Sequence, residues 1–138
     1  FCALSPAQRR KMLEKFRLML KPKGSVLLDV YSLKAFEKRQ EKAVYELNQL
    51  DGFWSADKYY GFVNTFKYER EKVVLDKYTI IEAAGTRIVY NWLQYFSPEA
   101  LEREFTDSGL AVAELYLNVA GSLFDAEADE FAVVARRP

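Results

Sequence analysis

Between Phe62 and Tyr68 the side chains alternate, with Phe62, Asn64, Phe66 and Tyr68 on one side of an extended chain and Val63, Thr65 and Lys67 on the other. A two-residue period belongs to a strand, so the middle of the chain is committed to sheet. That sheet needs large flat surfaces, because fifteen of the twenty-one aromatic residues lie between Tyr31 and Phe96. Val73 to Glu82 and Arg87 to Ser97 are also β-rich, and Arg70-Glu71-Lys72 and Ala83-Ala84-Gly85 are short enough to be hairpin connections. The pattern predicts a three-stranded antiparallel meander.

The flanks carry helical spacing. Ser5, Pro6 and Gln8 supply an N-cap, a first-turn proline and a capping-box glutamine, and Met12, Leu13, Phe16, Met19 and Leu20 follow as an apolar face. A helix is predicted from about 6 to 20, stopped by Pro22 and Gly24. Ser25 to Val30, SVLLDV, is apolar without alternation and reads as a parallel strand covered on both faces. Its charge, Asp29, stands near the end where open α/β sheets place ligands. Leu33, Phe36, Gln40, Ala43, Val44 and Leu47 then predict a second helix ending before Asp51-Gly52. The last third reads as a helix from Pro98 to about Ser108 capped by Gly109, a strand near Ala111 to Asn118, an acidic loop, and a strand from Phe131 to Ala135.

Charge and composition narrow the function classes. Twenty basic and twenty acidic residues cancel, leaving no net field for nucleic acid or an anionic membrane, and no apolar run is long enough to span a bilayer. The basic side chains of the first helix read as a solvated face. Histidine is absent, which removes Ser-His-Asp and Cys-His nucleophiles, histidine-based zinc sites and histidine general bases. With a single cysteine, Cys2, no internal disulfide can form, and no secretory signal is evident, so the expected location is cytoplasmic.

Taken in order, Lys21-Pro22-Lys23-Gly24 after an amphipathic helix, the strand SVLLDV, a helix ending in Ser108-Gly109-Leu110 and a terminal strand pair closing on EFAVVARR resemble the C-terminal half of class I S-adenosylmethionine-dependent methyltransferases. The large antiparallel insert resembles the substrate-covering lid of small-molecule members. The resemblance implies a partial Rossmann-like α/β fold: core residues 1–31, a lid insert at 32–96, and the last helix and strand pair at 97–138. It also implies S-adenosyl-L-methionine as cofactor of the parent protein and a small-molecule acceptor, with no metal. Phe1 and Cys2 fall at the tail of the fourth strand, where the family touches the cofactor. The family's Gly-x-Gly turn is missing, since no two of the six glycines are two apart. The chain is therefore expected to be a fragment lacking the cofactor loop, weak in cofactor binding or devoid of it.

Within that reading, Tyr31, just past the fifth strand, borders the active site, or fills space under the next helix. The face carrying Asn64 and Tyr68 with Trp92 and Gln94 would form a substrate wall, or simply the packing surface of the meander. Asp29 would act as a base or substrate anchor, or cap a loop. Cys2 lacks a histidine partner and sits among apolar neighbours, so it is not expected to be a nucleophile, and no catalytic residue is assigned. A non-enzymatic module that cups an apolar ligand in its aromatic sheet is the rival reading. An exposed edge on strand 25–30 is expected to favour a homodimer or strand exchange.

Overall fold

The capping box at Ser5 and Gln8 is formed in both directions, and it opens helix α1, Pro6–Met19. In the computed structural model, which describes residues 1–138, the elements that follow are β1 (Ser25–Tyr31), α2 (Leu33–Lys38), β2 (Lys42–Leu47), β3 (Tyr59–Tyr68), β4 (Val73–Glu82), β5 (Gly85–Gln94), α3 (Pro98–Asp107), β6 (Ala111–Tyr116) and β7 (Glu130–Arg136). The chain divides into two compact units, one made of Phe1–Lys38 and Gln94–Pro138, the other of Arg39–Leu93.

The first unit holds a three-stranded sheet in the order β1-β7-β6. The expectation that SVLLDV is parallel and covered on both faces is corrected: β1 runs antiparallel to β7, with Val30 opposite Phe131 and Leu28 opposite Val133. Its exposure alternates, and Leu27 is 51% exposed. An apolar run records what a strand is able to bury; which neighbour it pairs with, and in which direction, depends on the chain's path. The strand does share its sheet with the closing pair, β6 and β7. Leu13 of α1, Leu101 and Phe105 of α3, and Val30, Phe131, Val133 and Ala135 of the sheet form the buried core. Helix α3 ends in a Schellman motif, in which Leu110 N–H donates to Phe105 O and Gly109 N–H to Thr106 O, with Gly109 at φ +76°.

The second unit is a four-stranded sheet in the order β2-β3-β4-β5, not three strands. The long second helix is also corrected. Helix α2 covers six residues, and Lys42–Leu47 pairs antiparallel with β3. Its apolar residues match helical spacing by coincidence, and the ladder offered by β3, with Tyr45 stacked on Phe62 at 5.8 Å, prevails over that spacing. Burial along β3 alternates: Tyr59, Gly61, Val63 and Thr65 face inward, while Tyr60, Asn64, Phe66 and Tyr68 face out. On the inner side, Asp76 of β4 accepts hydrogen bonds from Arg39 Nη2 at 2.6 Å and from Thr65 Oγ1 at 2.6 Å.

Candidate substrate site

In the first unit, several expected site residues meet at the end of β1. The Cys2 thiol lies against the backbone of Tyr31, and burial pushes its pKa up. Cys2 O accepts the Gln94 N–H at 2.9 Å, and Gln94 Nε2 donates to Tyr95 O at 3.1 Å. The Tyr31 ring lies 5.6 Å from that of Tyr95, which meets Phe36 edge-on at 5.4 Å. Tyr95 and Phe36 are buried, whereas Tyr31 remains 42% exposed. Cys2, Tyr31 and Gln94 thus form one cluster, with the tyrosine as its solvent-facing surface. Phe1 points elsewhere: its ring packs on Phe96 at 5.6 Å, beneath the Arg9 guanidinium.

Immediately past β1 is a cavity of about 250 Å³ lined by Ser32, Leu33, Phe96, Ser97, Phe124 and Phe131, among others. Its two hydroxyls are already engaged. Ser32 Oγ donates to Ala128 O at 2.6 Å and accepts from Ala35 N–H, and Ser97 Oγ accepts from Ala100 N–H at the start of α3. What the lining offers a ligand is mainly aromatic and aliphatic contact, with Lys34, Glu99 and Asp125 also among the lining residues. Nothing in local periodicity singled out Phe124, which sits in the acidic loop and reaches the site because that loop folds back onto Phe131, their rings perpendicular at 6.0 Å. Asp29 is on the exposed face of β1.

The remaining expected residues lie in the second unit. Asn64, Tyr68 and Trp92 are exposed on the outer face of the four-stranded sheet, and the rings of Tyr68 and Trp92 are 5.7 Å apart. That face is not a buried packing surface, since Tyr90 is 56% and Trp92 45% exposed. Trp54 packs inside its own unit, 5.1 Å from Tyr78. No cluster of three or more cysteine or carboxylate side chains is placed to hold a metal ion, and no helix is long and apolar enough to cross a membrane.

No family model and no curated protein sequence matches the chain. Solved structures do. The chain aligns over 99% of its length with 53% of the CcbJ methyltransferase from Streptomyces caelestis, at TM-score 0.69 and 17% identity. Its fold is that of half a methyltransferase. An S-adenosylmethionine-dependent methyltransferase from Clostridium acetobutylicum ATCC 824 matches at TM-score 0.66 and 8% identity, over 96% of this chain and 52% of that one. The sugar N-methyltransferase KedS8 from Streptoalloteichus sp. ATCC 53650 matches at TM-score 0.54 and 15% identity, over 99% and 51%. The chain spans about half the length of the methyltransferases it matches. No strand-to-helix glycine turn presents successive backbone amides: Gly109 closes a helix against Arg17, and Gly61 is packed against Gln49.

Proposed function

We propose that this chain is the acceptor-recognising part of an S-adenosylmethionine-dependent methyltransferase that acts on a small molecule. The observation that carries the reading is the alignment of nearly the whole chain with half of CcbJ. In support, the end of β1 combines an exposed tyrosine with an adjoining apolar cavity. Methyl transfer is an in-line displacement, so much of the catalytic benefit comes from holding the acceptor in place and keeping water out. Tyr31, backed by Tyr95 and Gln94, supplies a fixed surface for that purpose. The second unit, taken by itself, presents Tyr68 and Trp92 as a flat stacking surface beside the exposed Asn64, and this is the surface that the rival binding module would use. Amino sugars are one acceptor class in keeping with the likeness to KedS8, a sugar N-methyltransferase.

The test is transfer of labelled methyl from S-adenosylmethionine by the complete protein containing these residues, across a panel of small amines and alcohols. Tyr31→Ala is expected to raise the acceptor KM about tenfold or more while leaving donor affinity unchanged. Absence of transfer to every acceptor, together with ligand capture that needs no donor, would favour the rival binding module on the exposed aromatic face. Calorimetry on the 138-residue chain is expected to show no donor binding. Micromolar affinity there would overturn the expectation drawn from the glycines.

A further inference from the structure

All six residues of β2 are exposed, although Ala43, Val44, Tyr45 and Leu47 are apolar. One side of the strand pairs with β3; on the other it is the last strand of its sheet. An apolar edge left open in this way is a template for another strand.

The backbone restricts which residues are able to use that edge. Asn48 N–H donates to Tyr59 O at 2.9 Å, extending a ladder in which Lys42 faces Thr65, Val44 faces Val63 and Glu46 faces Gly61. Hydrogen-bonded pairs recur at every second residue of an antiparallel ladder. Residues 42, 44 and 46 therefore direct their backbone groups to β3, and Ala43 and Tyr45 direct theirs to the open edge.

The charges then select a register. With a second copy of β2 laid antiparallel about a two-fold axis at Val44, Ala43 faces the partner subunit's Tyr45 and exchanges both N–H···O bonds with it. In the same register Lys42 faces the partner subunit's Glu46, and the symmetry makes two such opposite-charge pairs. Moving the axis to Tyr45 sets Lys42 opposite an asparagine, and moving it to Ala43 sets Lys42 opposite a valine. The outer edge of β1, by contrast, carries Asp29 as its one charge, and its end is already engaged by Phe96 N–H, which donates to Tyr31 O at 2.9 Å. Tyr45, 74% exposed, would cover the small Ala43 side chain across the junction.

We infer that the protein associates with a second copy of itself through β2, in the register centred on Val44, joining two four-stranded sheets into one. This inference does not depend on the methyltransferase reading. It is tested by sedimentation equilibrium over a wide concentration range with charge-swapped variants. Lys42→Glu and Glu46→Lys each place like charges opposite one another at two positions, and each is expected to raise the dimer Kd about tenfold. The double variant restores the opposite-charge pairs and is expected to return Kd close to that of the parent, a recovery that mere damage to the fold would not produce. In a Cys2→Ala background, Val44→Cys is expected to form a disulfide-linked dimer on oxidation, because residues in a non-hydrogen-bonded pair approach to about 4.5 Å between Cα atoms. A monomer at every concentration, a dimer indifferent to either single swap, or a double variant as weak as the singles would each overturn the inference.

Discussion

Arg9 and Glu104 join α1 to α3 through two parallel hydrogen bonds, Nη2 to Oε1 at 2.6 Å and Nε to Oε2 at 2.8 Å. The Arg9 side chain is 3% exposed, donates a third hydrogen bond to Leu4 O at 2.7 Å, and lies 5.2 Å from the centre of the Phe96 ring. Glu104 is 30% exposed, which moderates the cost of leaving it unpaired. Arg9→Ala is expected to destabilise the first unit by about 2–3 kcal/mol. Arg9→Lys should recover little, because an ammonium is unable to reproduce the planar fork. Urea unfolding followed by circular dichroism gives the measurement; a loss below about 0.5 kcal/mol would show the pair to be energetically idle.

Asp76 plays the corresponding part in the second unit, where it holds Arg39 and Thr65 together beneath the sheet. Asp76→Asn keeps the shape and removes the charge. It is expected to cost about 2–3 kcal/mol, and Thr65→Val about 1 kcal/mol. Both tryptophans, Trp54 and Trp92, lie in this unit, so fluorescence-detected unfolding reports it directly.

Gly61 is fixed by space, not by its dihedral angle. A Cβ added there would stand 2.6 Å from Gln49 Cβ and 2.7 Å from Gln49 Oε1. Gln49 is buried, so it has little room to retreat. Gly61→Ala is expected to destabilise by about 1–3 kcal/mol through overpacking, and Gln49→Ala in the same chain should relieve part of that loss. Additive costs of the two changes in thermal unfolding would count against the contact.

Two groups give stability opposite dependences on pH. Burial raises the Cys2 pKa, so the folded chain keeps a proton that the unfolded chain loses first. The associated stability is complete below the unfolded thiol's pKa and declines as pH rises through the folded value. Alkylation by iodoacetamide at mildly alkaline pH is accordingly expected to be several-fold slower than in the unfolded chain, and equal rates would refute the shift. Glu99, in the first turn of α3, is held below its ordinary value chiefly by its hydrogen bond with Ser97. Its contribution is present above the unfolded carboxylate's pKa and is lost as pH falls through the folded one. Ser97→Ala is therefore expected to bring the Glu99 titration, followed by NMR, back toward an ordinary glutamate.

Much of this protein was legible one segment at a time. Ser5 with Gln8, Ser97 with Pro98, and Gly109 mark helix ends because caps act within a turn of backbone, and the alternation from Phe62 to Tyr68 identified a strand because its two faces meet different surroundings. The stretch from Leu33 to Leu47 defeated the same logic: its spacing suits a helix, and only the waiting edge of β3 made Lys42–Leu47 a strand. Likewise SVLLDV declared itself a strand without declaring that β7 would run antiparallel beside it. Tyr31 stood out by its position after that strand, but its grouping with Cys2 and Gln94, and the arrival of Phe124 at the neighbouring cavity, required residues remote in sequence to converge. Helix caps and periodicity are local free energies and belong to the sequence alone; strand partners and cavity walls depend on which distant surfaces meet, and that was settled only when the whole chain packed.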